Sequence, residues 1–394
     1  MKVKLLIVTM ALAVCVPLLA DDPPPAPAEP QQTATEDPQQ QTTDEPEKPE
    51  PTLEELAAKV ESITEAMTEQ RNIVEILNRL KVTGYIQAQY VDDERSRDQL
   101  QTGGTRNLDQ FSIRRGRVKF TYQATPTSKF VIQPDVTTSG VVLKDGYVEF
   151  TEPWTLWKHT LTAGQFSWPF GFEIMYSSSA REVPERSRVM RTLFNGERDR
   201  GLMLSGLGLN ERFSYRVAIV NGTGTVSPSD LNQQKDLVAR LGYNFGAFDL
   251  GASAYQGEDL VATSTNANGV NFDKERLGVD FQWATPVPGL GIRGEYITGT
   301  QAPASGTTRT QSHDVDGWYF YAIQNLGTKH QLVLRVDEYD PDTDVNNNAI
   351  RTINPAYIFH WDAHSKVMAS YELIETEAND PDDNVFTLRY QYVF

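Results

Sequence analysis

The sequence predicts an all-β protein, a transmembrane antiparallel β-barrel of about sixteen strands, preceded by an export signal, a proline-rich linker and a short coiled-coil helix. Three observations carry that prediction. Apolar residues recur at every second position from about residue 81 to residue 394. A short basic and apolar stretch of the kind that directs export opens the chain. No stretch after residue 20 reaches the ~18 consecutive apolar residues that a membrane-spanning helix needs.

The first segment, residues 1–20, has Lys2 and Lys4 ahead of an apolar run from Leu5 to Val14, and Leu18-Leu19-Ala20 stands directly before Asp21-Asp22. This is the layout of a cleaved secretory signal. Cys15, the one cysteine, leaves with it. The mature chain then has no thiol for a disulfide or a thiolate metal site.

Residues 21–51 are proline, glutamine, threonine and acids with almost no apolar side chain. Such a segment cannot bury enough surface to offset its ordering entropy and reads as a linker. Extended at ~3.1 Å per residue, it reaches ~90 Å, enough to tether the protein to the cell wall across a periplasm. Much of the net charge of −17 lies here and in the next segment, since residues 21–65 hold thirteen acids against Lys48 and Lys59. That balance argues against nucleic acid as a partner.

In residues 52–80 the period changes. Leu53, Leu56, Val60, Ile63, Met67, Gln70, Val74 and Leu77 step by three and four in alternation, a heptad seam that calls for partner helices. The alternative is one amphipathic helix lying on a barrel.

Residues 81–394 form the barrel segment. Val118, Phe120 and Tyr122 alternate with Arg117, Lys119 and Thr121, and the chain closes on Phe386, Leu388, Tyr390, Tyr392 and Phe394. Sixteen strands are expected near 82–91, 112–124, 128–137, 143–150, 159–167, 201–208, 213–221, 236–244, 247–256, 274–283, 290–299, 315–324, 330–339, 349–360, 365–374 and 384–394. Short connections such as Thr125–Thr127, Leu209–Arg212 and Trp361–His364 alternate with long polar ones. Short periplasmic turns and long external loops give this rhythm; a sandwich or propeller does not.

With the apolar set toward lipid, Arg115, Arg117, Lys119, Arg216, Arg240, Arg276, Arg293, Arg335 and Arg389 face the lumen. A guanidinium in hydrocarbon costs ~2 to 4 kcal/mol at the midplane, which supports the phase. Such a lumen suits anions, because the guanidinium fork pairs two oxygens and stays charged. Glu149, Asp280, Glu295 and Asp337 share that face, so paired lumen residues are the competing reading. The long connection from Ser167 to Arg200 carries Arg181, Arg186, Arg188, Arg191, Arg198 and Arg200 with Trp168-Pro169-Phe170-Gly171-Phe172-Glu173. A loop this long with aromatics and paired charges is expected to fold inward and narrow the channel.

Several motifs then coincide in order: Ser112-Ile113-Arg114-Arg115-Gly116-Arg117-Val118-Lys119-Phe120, Gly164-Gln165-Phe166 with Pro169-Phe170-Gly171 and Glu173, Glu185-Arg186-Ser187, Glu197-Arg198-Asp199-Arg200-Gly201, and the aromatic last strand. Together they resemble the phosphate-selective porin O and P family over most of residues 82–394. The resemblance implies a sixteen-stranded, trimeric porin of the bacterial outer membrane with inward loops and a basic path for phosphate or related small anions. Lysine is sparse here, nine residues from Lys81 to Lys366, so arginine dominates the basic set.

Other chemistry is not indicated. His159, His313, His330, His360 and His364 are scattered without metal-ligand spacing. No serine sits in a nucleophile-elbow context, and neither an enzyme nor a cofactor is expected. The acidic stretches Asp340–Asp344 and Asp380–Asp383 read as solvated loop tips. A general or cation-preferring porin, and a structural barrel tethering outer membrane to wall, remain as alternatives to an anion pore.

Overall fold

The computed structural model describes residues 52–94, 109–225, 229–230, 232–377 and 384–394. The signal and linker readings for residues 1–51 and the acidic stretch Asp380–Asp383 lie outside the described residues. The chain divides into two compact units after Asn78.

The first unit holds helix α1, Leu53–Arg79, all but its last residue. Thr52 starts it with a reciprocal cap. Its Oγ1 accepts from Glu55 N at 3.3 Å, and Glu55 Oε2 accepts from Thr52 N at 3.0 Å, the pairing that satisfies two otherwise orphaned amides. Glu54 and Glu55 in the first turn and Arg79 in the last oppose the helix dipole favourably. The seam side chains Leu53, Leu56, Val60, Ile63, Met67, Val74 and Leu77 are all exposed.

The second unit is a closed barrel of sixteen antiparallel strands, each bonded to its sequence neighbours. They are β1 Leu80–Asp93, β2 Gln110–Thr125, β3 Ser128–Thr137, β4 Gly140–Thr151, β5 Thr160–Ser167, β6 Arg198–Gly208, β7 Phe213–Val220, β8 Asp236–Asn244, β9 Phe248–Val261, β10 Val270–Ala284, β11 Leu290–Gln301, β12 His313–Leu326, β13 His330–Asp340, β14 Ile350–His360, β15 Ser365–Thr376 and β16 Val385–Val393. The six-residue helix α2, Arg188–Leu193, lies between β5 and β6. Strand β1 pairs with β16 from Tyr85↔Val393 to Asp93↔Val385, which leaves no sheet edge.

Each expected strand overlaps an observed one. The largest difference is the β9–β10 hairpin, which runs on through Val261 and Val270. Its ladder continues beyond the apolar alternation because backbone pairing needs no greasy face above the bilayer. Arg198 and Arg200, expected in the long connection, begin β6 instead. Their ladder partners Ser167 and Gln165 extend the β5 pairing to that point.

Alternation sets the two faces. On β13, Leu332 and Leu334 point outward and are exposed, whereas Val333 and Arg335 point inward and are buried. The register shifts in three of the pairings, and the shift between β1 and β2 bears on the lumen. Gln87 opposes Arg115 but Ala88 opposes Ile113, so Arg114 is the extra residue of a β-bulge in β2. The bulge brings Arg114 as well as Arg115 within reach of one lumen carboxylate, Glu185.

The apolar core sits in the lumen. Phe170, Ile174, Val183, Val189, Met190, Leu193 and Phe194 of the β5–β6 connection pack on inward residues that include Ile297, Tyr321, Val333 and Ile358. Gly317 lets α2 lie close to the wall, since a Cβ there would stand 2.8 Å from Val189 Cβ.

Candidate functional site

Residues 168–197 leave β5 and fold into the barrel, anchored first by aromatic packing. Phe170 and Phe194 lie 4.7 Å apart between ring centres, Trp168 sits 5.6 Å from Phe194, and Arg276 covers Phe194 and Tyr255 at 5.0 and 5.3 Å. Such contacts add to area burial through the ring quadrupole.

Polar tethers inside the loop fix its course. Glu173 accepts from Ser187 Oγ at 2.6 Å, Ser187 N at 3.0 Å and the Tyr321 hydroxyl at 2.8 Å. Arg186 donates to the carbonyls of Glu173, Ile174 and Tyr176 at 2.7, 2.9 and 3.1 Å and pairs with Glu197. Glu197 also takes Arg198, which reaches Asp145 at 3.0 Å.

The barrel wall then grips the loop through its basic residues. Glu185 receives Arg114 as a fork, Nε at 2.9 Å and Nη2 at 3.0 Å, together with Arg115 Nη2 at 3.0 Å and Arg389 Nη2 at 2.8 Å. Burial alone would raise that carboxyl, but Arg115, Arg114 and Arg389 outweigh it and hold it well below the usual carboxylate range. Arg389 Nη1 also donates to Pro184 O at 2.6 Å, and Arg335 Nη1 to Glu185 O at 2.8 Å. Arg293 pairs with Glu182 and lies over the Tyr321 ring at 4.4 Å. Lys366 Nζ donates to Arg181 O at 2.9 Å, and Arg117 holds Asp135 at 2.8 Å and Ser178 Oγ at 3.1 Å.

The nine lumen residues read from the strands therefore divide. Arg115, Arg117, Arg276, Arg293, Arg335 and Arg389 are buried, most of them against the loop; Lys119, Arg216 and Arg240 are half-buried. Arg240 forms a double contact with Asp280, while Arg216 Nη1 reaches Met175 Sδ at 3.4 Å. Arg276 Nη2 donates to Gln301 at 2.6 Å. In the loop, Arg188 and Arg191 sit on α2, with Arg191 3.8 Å from Glu372; Arg200, on β6, donates to Gly224 O at 2.8 Å.

Arg181 differs from the rest. It is buried, and none of its three guanidinium nitrogens has a hydrogen-bond partner among the described residues. Burial, then repulsion from Arg186 and Arg115, pushes its pKa down.

The strand reading missed Lys366, which grips the loop from β15, and two further groups. Arg114 escapes it because a bulge adds a residue, and the only sequence signal is the Arg-Arg-Gly run. The loop acids Glu173, Glu182, Glu185 and Glu197 were visible as charges, but their partners lie on distant strands.

Below the loop, at the barrel end that carries the short turns, a cavity of about 460 Å³ opens between loop and wall. Arg117, Lys119, Arg186, Arg198 and Arg216 line it with Asp145 and Glu149, five basic side chains to two acidic, and Arg117, Arg186 and Arg198 are held in ion pairs with Asp135, Glu197 and Asp145.

A closed sixteen-stranded barrel with an apolar outer face, a charged lumen and an inward loop is the architecture of an outer-membrane porin. The sequence profile of the phosphate-selective porin O and P family matches residues 80–285, and the chain belongs to that family. Among solved structures it is similar to an anion-selective porin from Comamonas acidovorans, with TM-score 0.58 and 11% identity over 80% of this chain and 99% of that one. The outer membrane channel DcaP of Acinetobacter baumannii has TM-score 0.55 and 14% identity over 80% and 97%. The trimer form of OmpT, an outer membrane protein of Vibrio cholerae, has TM-score 0.55 and 9% identity over 80% and 99%. No curated protein sequence matches the chain.

Proposed function

We propose that this porin is a passive diffusion pore for small anions, phosphate or related oxyanions among them, entered and left past the inward loop. The observation that carries the reading is the excess of basic over acidic side chains around the cavity beneath the loop, since rings of one charge sign set pore selectivity. Membership of a phosphate-selective family points the same way. A planar-bilayer reversal potential under a KCl gradient, repeated with added phosphate, tests it. Anion selectivity with phosphate block is the expected result; cation selectivity without block would make this a general or cation-preferring pore, and little conductance a structural barrel.

The reading extends to assembly. An exported chain, cleaved after its signal, would place α1 in the periplasm, where the exposed seam of Leu56, Val60, Ile63 and Met67 pairs with the same helix of two further copies in a homotrimer. Burying each such side chain contributes ~1.5–3 kcal/mol. Ile63→Asp with Met67→Asp should therefore lower the temperature at which the trimer dissociates on unboiled gels. An unchanged dissociation temperature would leave α1 without that role.

A further inference from the structure

We propose that Glu185 is a tethered counter-anion: its carboxylate fills an oxyanion site built by Arg114, Arg115 and Arg389, and a free carboxylate or phosphate takes that site by displacing it. The inference deepens the anion-pore reading and rests on it.

Four observations converge on this residue. First, both Glu185 oxygens are engaged, each by two guanidinium nitrogens from β2 and β16. Four such donors around one carboxylate form a complete oxyanion cradle, and the Arg114 fork reads two oxygens on one centre, which chloride cannot present.

Second, the site is open on one side. The Arg114 and Glu185 side chains are 42% and 22% exposed, whereas Arg115 and Arg389 are nearly covered. A solute in the lumen therefore meets the Arg114 guanidinium before the other two, and can begin to bind before Glu185 has left.

Third, the cradle holds more positive charge than Glu185 neutralises. Arg181 is near enough to act on Glu185 electrostatically and, among the described residues, has no hydrogen-bond partner on any of its guanidinium nitrogens; Glu197 also acts on it but is already paired with Arg186 and Arg198. A buried cation in that state favours a second anionic charge nearby. A dianion supplies one; the single glutamate does not.

Fourth, the loop does not depend on this carboxylate for its position. Arg389 holds Pro184 O and Arg335 holds Glu185 O through the main chain, and the aromatic anchor lies at Phe170 and Phe194. Glu185 can swing away while its backbone stays, so its side chain competes with the solute without closing or opening the loop.

The test is single-channel recording of the full-length porin and Glu185→Gln in constant KCl, titrating inorganic phosphate and succinate in separate series. The variant should be blocked by phosphate, by succinate or by both at concentrations at least about tenfold lower than the wild type, a change of about 1.4 kcal/mol; whichever series shifts identifies the oxyanion preferred. Half-blocking concentrations that stay level or rise for both solutes, in a variant with wild-type trimer mobility, would overturn the proposal. If Glu185→Gln does not assemble, Glu185→Asp withdraws the charge by one methylene and should strengthen block in the same direction; no strengthening there overturns it equally. The KCl reversal potential of the wild type is read separately. Cation selectivity would remove the anion-pore reading, whereas anion selectivity with no change in block on altering Glu185 removes only this inference.

Discussion

Excising Phe172–Ser187 and bridging the gap with a short glycine-serine segment is expected to raise single-channel conductance several-fold. Barrels of sixteen to eighteen strands enclose an aqueous channel when nothing fills them, and here the segment touches inward residues of β1, β2, β11, β12, β15 and β16. The ladder itself does not use it, since every strand pairs with its two neighbours around the closed sheet. The excision removes three acids, Glu173, Glu182 and Glu185, and two arginines, Arg181 and Arg186, leaving Arg114, Arg115, Arg293 and Arg389 without those acidic partners and the lumen more positive by one charge. Anion selectivity should rise along with conductance. Planar-bilayer recordings of both quantities check this, and conductance equal to the wild type would mean that the segment does not limit the path.

The second large effect is expected at Arg335. Its guanidinium and the Asp337 carboxylate are both fully buried 2.7 Å apart, and Glu372 lies 3.2 Å away. Arg335→Met would leave two carboxylates facing each other in the lumen wall and detach Glu185 O. Breaking a buried pair by removing one partner costs about 3–5 kcal/mol, because the surviving charge has lost its solvent and its counter-charge together. The variant barrel should unfold at a distinctly lower temperature on heat-modifiability gels. Adding Asp337→Asn and Glu372→Gln should recover much of the loss. A single variant as heat-resistant as the wild type would show that Asp337 and Glu372 find other partners, and the pair would lose its structural role.

The strands were legible because a sheet between lipid and lumen imposes a period of two wherever it crosses. The outward set Leu332 and Leu334 and the inward Arg335 follow that rule directly. Two kinds of residue were not legible. Val333, Tyr321 and Ile358 point inward although apolar, because they meet the loop core rather than water; local alternation cannot show what fills a barrel. The role of the lumen arginines was equally hidden. Arg389 and Arg115 are far apart in sequence from the carboxylate they share, and a charge pattern along one strand carries no information about a partner contributed by a loop. The helix Leu53–Arg79 was the reverse case, with its period and its Thr52 cap both local.

The clamp at Glu185 also bears on how the barrel forms. Every hairpin joins neighbours along the chain, and among the described strands the one pairing of distant partners is β1 with β16, where closure entropy is concentrated. Arg114 and Arg115 stand on β2, one strand beyond one side of that seam, and Arg389 stands on β16 at the other. One carboxylate from the middle of the chain thus draws on both margins of the sheet at once. Before the seam zips, those margins are the two edges of an open, curling ribbon, and a loop that holds both shortens the distance they must search.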